Sequence, residues 1–170
     1  KLIINRKVMH NIFTLLDNPD SFSKSYIKQL FDMDNYNQKS NFENVTIKAL
    51  LGTTQNILTI DDVSIICDGH IYNYKKIYQD IGVIPTTNYD YEVIIHLYEK
   101  YGIDYTLQIL DGIFAFVLVD NRIKDKNNLD AKMYIARDPY GVKSLYISKI
   151  GNLFTIFTSL KNSKKKVEST

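Results

Sequence analysis

The segment from Ile65 to Tyr74 reads Ile-Ile-Cys-Asp-Gly-His-Ile-Tyr-Asn-Tyr and sets a thiol, a carboxylate and an imidazole side by side at Cys67, Asp68 and His70. An apolar run that ends in Asp-Gly predicts a strand, Val63 to Cys67, giving way to a turn, with an amphipathic segment beyond it. Such a junction suits chemistry. The strand holds side chains rigidly, while a glycine turn aims backbone N–H groups at a ligand. Cys67 is the only cysteine of the chain. A nucleophilic thiol must be ionised and accessible, whereas a free cysteine on a strand usually behaves as a small buried hydrophobe, and Cys67 is read that way. His96 stands four residues after Glu92 in a helical pattern, which reads as a solvated i,i+4 pair rather than as a metal ligand.

The elements that must position these residues follow from periodicity and punctuation. Ile12 to Leu16 reads as a buried strand, and Tyr26, Ile27 and Leu30 mark one face of a helix behind the Asn18-Pro19-Asp20-Ser21 turn. Asp32 to Asn44 is polar and reads as a loop. Val45 to Leu51 is a strand that Gly52 breaks. A short helix is predicted over Tyr72 to Ile81. A stronger one runs from Tyr91 to Tyr101, with Ile94, Leu97, Tyr98 and Tyr101 on one stripe and Gly102 at its end. A further short helix covers Ile103 to Leu110. Strands follow at Ile113 to Val119, Met133 to Ala136, Leu145 to Ile147 and Leu153 to Thr158. Helices between groups of antiparallel strands imply layered α and β elements around one core, an α+β domain.

Composition narrows the function classes. With 170 residues, 21 basic against 19 acidic and a net charge of +2, the chain fits a single domain. It lacks the footprint of a protein that binds nucleic acid or an anionic membrane. The basic run Lys161 to Lys166 reads as part of a solvated tail. One cysteine excludes an internal disulfide framework and a cysteine-based zinc cluster. No apolar run approaches the roughly 18 residues of a membrane helix. These features lead to the expectation of an intracellular, cytoplasmic, soluble protein without a cofactor.

Four stretches together resemble the glutaminase domain of class II glutamine amidotransferases, most closely that of the asparagine synthetases. They are Asp68 to Tyr74 (Asp-Gly-His-Ile-Tyr-Asn-Tyr), Asp90 to Gly102, Leu110 to Leu118, and Ala136 to Tyr146 with its Ala-Arg-Asp-Pro-Tyr-Gly-Val-Lys core. The resemblance implies a four-layer α-β-β-α sandwich of the N-terminal-nucleophile hydrolase type over residues 9–161. Residues 1–8 then form an extension and residues 162–170 a flexible tail.

The resemblance also assigns former roles to particular positions. The family begins its mature chain with a cysteine whose thiolate attacks the glutamine amide and whose own α-amino group is the base. Met9-His10-Asn11-Ile12-Phe13 stands in its place, so His10 occupies the nucleophile position behind an extension. An Arg that grips the substrate carboxylate is matched by Asn37 in Asn37-Gln38-Lys39-Ser40, and an amide cannot supply a guanidinium fork. Where the family has Asn-Gly-Glu, with the Asn side chain and Gly N–H forming the oxyanion hole, this chain has Asp68-Gly69-His70. An ionised Asp68 opposes the charge that must develop there, and loss of one donor typically costs about 2.7–4 kcal/mol of barrier. Asp90 matches the residue that binds the substrate amino group, although its place before a helix reads first as an N-cap.

The vestigial glutamine-binding positions are therefore Asn37, Ser40, His70 and Asp90. The expected function is that of a catalytically inactive glutaminase-like domain, kept for binding, assembly or structure and lacking the ATP-dependent synthetase half. A homo-oligomer or another protein partner is expected, and retained glutamine binding is not. Two alternatives stay open. One is residual hydrolysis of glutamine to glutamate and ammonia. The other is a metal site in the old pocket, built from His10, Asp68, His70 and Asp90.

Overall fold

The computed structural model describes residues 56–122, 132–150 and 153–158, together with three strands nearer the N-terminus. In chain order the elements are β1 (Ile12–Leu16), β2 (Tyr36–Asn41), β3 (Val45–Leu50), β4 (Leu58–Ile60), β5 (Val63–Ile71), α1 (Tyr74–Ile81) and α2 (Glu92–Ile109). They continue with β6 (Gly112–Asp120), β7 (Lys132–Arg137), β8 (Tyr146–Ile150) and β9 (Leu153–Phe157). The strands form two antiparallel sheets, one ordered β2-β3-β1-β9-β8 and the other β4-β5-β6-β7. The predicted helix around Tyr26 lies outside the described residues. The polar stretch read as a loop contains β2, which pairs with β3 from Tyr36 opposite Leu50 to Asn41 opposite Thr46, with a register shift between Tyr36 and Gln38. Its polar composition suits an edge strand, which needs backbone partners more than a buried face.

Strands β5 and β6 are the spine of the second sheet. Their register runs from Val63 opposite Asp120 to Ile71 opposite Gly112 without interruption. Both strands are buried on both faces, which explains why their sequences read as continuous apolar runs rather than as a polar alternation. Successive side chains still alternate between faces. Val63, Ile65, Cys67, Phe114, Phe116 and Leu118 join the helix residues Ile77, Ile94 and Leu97 in one core. On the opposite face Ile66, Val117 and Val119 meet Ile156 of β9 from the first sheet. The order of packing is thus helix, sheet, sheet. Each aliphatic or aromatic side chain buried there contributes roughly 1.5–3 kcal/mol of transfer free energy.

The predicted Asp-Gly turn is not a turn. Strand β5 runs on through Asp68, Gly69 and His70, and glycine serves close approach instead of chain reversal. Gly69 has φ +137°, and a Cβ there would lie 1.9 Å from the Ile113 carbonyl oxygen. Across the same ladder, a Cβ on Gly112 would lie 2.2 Å from the His70 carbonyl oxygen. The two glycines let the backbones of β5 and β6 close together at the end of the sheet that carries Asp68 and His70.

Both helices lie where the pattern predicts them. Helix α2 breaks at Gly102, where φ is 80° and ψ 174°, so the expected pair of helices meets at a kink. The expected stripe is corrected at one point. Ile94, Leu97 and Tyr98 are buried, while Tyr101, beside the kink, is exposed and packs against Tyr105 with its ring tilted by 44° at a centroid distance of 4.7 Å.

Candidate functional site

The end of β5 delivers Asp68 and His70, the start of α2 delivers Asp90, and the turn after β7 delivers Lys143. The turn is built by Asp138. Its backbone N–H donates to the Phe114 carbonyl at 2.7 Å, and its carboxylate accepts the backbone N–H groups of Val142 at 2.9 Å and Lys143 at 3.0 Å. Gly141, at φ +64°, closes it. Burial pushes the Asp138 carboxyl upward, but these N–H donors outweigh it and hold the group below the usual carboxylate range. The fold of the turn brings the Lys143 ammonium 2.7 Å from the Asp68 carboxylate.

Asp68 is 5% exposed. A carboxylate so far from water requires a counter-charge, and Lys143 supplies it. The pair makes Asp68 a charge-holding acceptor at the position where the resemblance places an amide donor. Lys143 was absent from the candidate set. The signal is present in the sequence, because Lys143 belongs to the Ala136-to-Tyr146 stretch that carries the family resemblance.

Asp90 does not cap the helix. The N-cap position is Tyr91, which makes no side-chain capping bond. Instead Asp90 reaches across to β5, where its Oδ2 contacts His70 Nδ1 at 3.1 Å and accepts the Ile71 backbone N–H at 3.3 Å. The His70 side chain is 68% exposed and that of Asp90 20%. The loop before α2 is held from the helix side. Glu92 Oε1 accepts from the Thr86 N–H and hydroxyl at 2.7 and 2.9 Å, and its Oε2 accepts from the Thr87 N–H at 2.7 Å and hydroxyl at 2.5 Å. Burial raises the Glu92 carboxyl, yet the bonds from Thr87, Thr86 and His96 outweigh it and hold it low. His96 does pair with Glu92, at 3.2 Å, but Glu92 is fully buried and His96 only 13% exposed, so the pair is not a solvated one.

Cys67 is fully buried on the helix-facing side of β5. Burial pushes its thiol well above the ordinary cysteine value, and the carboxylates of Asp90 and Asp68 push it further. A neutral, enclosed thiol cannot act as a nucleophile.

The structure therefore joins Asp68 with Lys143 and His70 with Asp90. Asn37 and Ser40 lie on β2 in the other sheet, with Asn37 at an irregularity between the paired residues Tyr36 and Gln38. His10 lies outside the described residues, ahead of β1. Among the described residues no group of three histidine, cysteine or acidic side chains converges on a metal position. Asp68 is already engaged by an ammonium, so the proposed four-ligand set loses that member as a free ligand.

The chain is 44% identical over 79 residues to the asparagine synthetase [glutamine-hydrolyzing] of Pongo abelii and to that of Homo sapiens, and 42% identical over 79 residues to that of Gallus gallus. Each match covers 46% of this chain but only 13% of the relative's length. The glutamine amidotransferase domain family matches residues 43–164, the span that holds both halves of β5, the helices and the Lys143 turn. The chain belongs to the glutamine amidotransferase domain family and resembles the glutaminase portion of asparagine synthetases.

Proposed function

We propose that this domain retains the glutaminase fold without glutamine hydrolysis and acts as a non-catalytic binding or assembly module. Asp68 carries the reading. Acyl transfer needs a preorganised donor where the carbonyl oxygen becomes negative. Here that position holds a buried carboxylate whose charge is fixed by Lys143 at 2.7 Å. The replacement of thiol by imidazole at His10 and of guanidinium by amide at Asn37 points the same way. Cys67 offers no substitute, being enclosed and held neutral.

The finer architecture follows from the same kinship. We infer the four-layer α-β-β-α arrangement, with the two antiparallel sheets as its middle layers and α1 and α2 as one outer layer. A soluble, intracellular domain in an oligomer or a hetero-complex fits a fold kept for its surface. Among the described residues no helix is long and apolar enough to cross a membrane.

The test is a glutaminase assay with purified protein at high enzyme concentration. The expected result is no glutamate above the rate of spontaneous hydrolysis. Turnover that disappears in His10→Ala would sink the proposal.

A further inference from the structure

The turn between β7 and β8 delivers Lys143 to the core and leaves a different set of side chains in solvent. Among the described residues, four of the ten exposed large hydrophobic side chains, Tyr140, Val142, Tyr146 and Ile147, fall in this one run of the chain. Tyr140 at the tip is 91% exposed and Val142 59%. The backbone that carries them is pinned throughout. The Asp138 N–H donates to the Phe114 carbonyl, the Gly141 N–H donates to the Asp138 carbonyl at 3.0 Å, and the Asp138 carboxylate takes the N–H groups of Val142 and Lys143. The Lys143 ammonium then ties the far end to Asp68. Tyr140 and Val142 are thus presented on a preorganised loop, which has little ordering entropy left to lose when a partner covers it.

Arg137, at the foot of the turn, is exposed as well. A Cβ built on Gly141 would lie 3.5 Å from its Cζ, 3.5 Å from its Nη1 and 3.7 Å from its Nη2. Such nearly equal distances set the glycine against the flat face of the guanidinium and leave the N–H donors, which lie in its plane, unused by the turn. The carboxylates closest to hand are engaged elsewhere. Asp138 is taken by the N–H groups of its own turn. Asp68, in the same cross-strand row as Arg137 through Ala115, is taken by Lys143. Among the described residues Arg137 makes no hydrogen bond and no ion pair.

We propose that the turn from Arg137 to Val142 is the docking surface of this module, and that its partner is a protein segment offering an apolar side chain to Tyr140 and Val142 and a carboxylate to Arg137. This deepens the non-catalytic reading above and rests on it, naming the surface used and the chemistry of what it binds. A guanidinium held by its face presents a fork that matches a carboxylate with two parallel N–H···O bonds. Tyrosine and arginine side by side are also the residue types that anchor protein interfaces. A second copy of this chain fits the turn less well, because a twofold axis through the patch would set one unpaired Arg137 against another.

The probe is a library of random dodecapeptides selected on the purified full chain, with the enriched peptides resynthesised and their affinity measured by fluorescence anisotropy. The expected peptides carry Asp or Glu close to an aromatic residue or leucine. Arg137→Gln and Tyr140→Ala should each weaken them about tenfold or more, with circular dichroism unchanged because both side chains are exposed. Tyr101→Ala, an exposed aromatic on α2, should leave the affinity as it was. Absence of an enriched consensus, enriched peptides that lack an acidic residue, or affinity unchanged in either turn variant would overturn the proposal. So would self-association in sedimentation equilibrium that the turn variants abolish, since the occupant would then be a second copy. Glutamate release in the glutaminase assay would instead overturn the non-catalytic reading, so the two failures are separable.

Discussion

At the scale of single residues, the Asp68–Lys143 pair is asymmetric, and so are the consequences of breaking it. Asp68 is 7% exposed at its side chain and Lys143 28%. Lys143→Met leaves a buried carboxylate without a partner, and a loss of about 1–3 kcal/mol in urea unfolding is expected after allowing for the partial exposure of the pair. Asp68→Asn leaves a lysine that can swing to water, and a change below about 1 kcal/mol is expected. Equal losses from the two changes would contradict this account. Cys67 gives a second residue-level prediction. With its thiol enclosed and pushed upward by burial and by Asp90 and Asp68, it should resist aromatic disulfide reagents in the native protein and react only after denaturant is added. The types of these residues were legible in the sequence, and so was the burial of Cys67. The partner of Asp68 was not, because the two members of the pair lie 75 residues apart and meet only through the Asp138 turn.

At the scale of elements, glycines decide where β5 and α2 can go. Gly69→Ala would drive a Cβ to within 1.9 Å of one backbone atom and 2.7 Å of another on β6. Neither is a flexible side-chain end that could give way, so the variant should lose more than about 4 kcal/mol or fail to fold, as judged by circular dichroism. Gly102→Ala meets no neighbour within 4 Å but must hold φ 80° and ψ 174°, a region almost confined to glycine. A milder loss of about 1–3 kcal/mol is expected, read as a lowered melting temperature. The helix break at Gly102 was visible as punctuation. The reading of Asp68-Gly69 as a turn failed because glycine marks two different needs, chain reversal and close backbone approach, and local sequence does not distinguish them. Asp90 failed as an N-cap for a related reason. A carboxylate before a helix has a local use, but here the ladder end of β5 offers an N–H and an imidazole.

At the scale of the whole molecule, stability should fall in acid through carboxylates held low in the fold. Burial raises the Asp120 carboxyl, but hydrogen bonds from the Arg122 guanidinium at 2.8 and 2.9 Å and from the Tyr98 hydroxyl at 2.6 Å outweigh it and hold it far below its ordinary value. Glu92 and Asp138 are also held low. A depressed folded-state value means that the stabilisation is complete above the unfolded carboxylate range and is lost as pH falls through the folded value. Glu99, raised chiefly by burial, acts in the opposite sense and offsets part of this. Urea unfolding should therefore show stability dropping below about pH 4, and Asp120→Asn should flatten that drop while lowering stability near neutrality. A wild-type protein equally stable at pH 3 and pH 6 would contradict the role given to these groups.

The sequence by itself determined the local elements and the kinship. Periodicity fixed β1, α1, β6 and the kinked α2, because apolar spacing reports which faces a segment must bury. Residue types in the Asp68-to-Tyr74 and Asp138-to-Lys143 runs pointed to the glutamine amidotransferase domain family that residues 43–164 match. Only the tertiary structure decided the partners of the site residues. It placed β2 at a sheet edge, carried β5 through Gly69, paired Asp68 with Lys143 and turned Asp90 onto His70. Ion pairing and burial depend on distances across the fold, whereas periodicity along one segment carries no information about them.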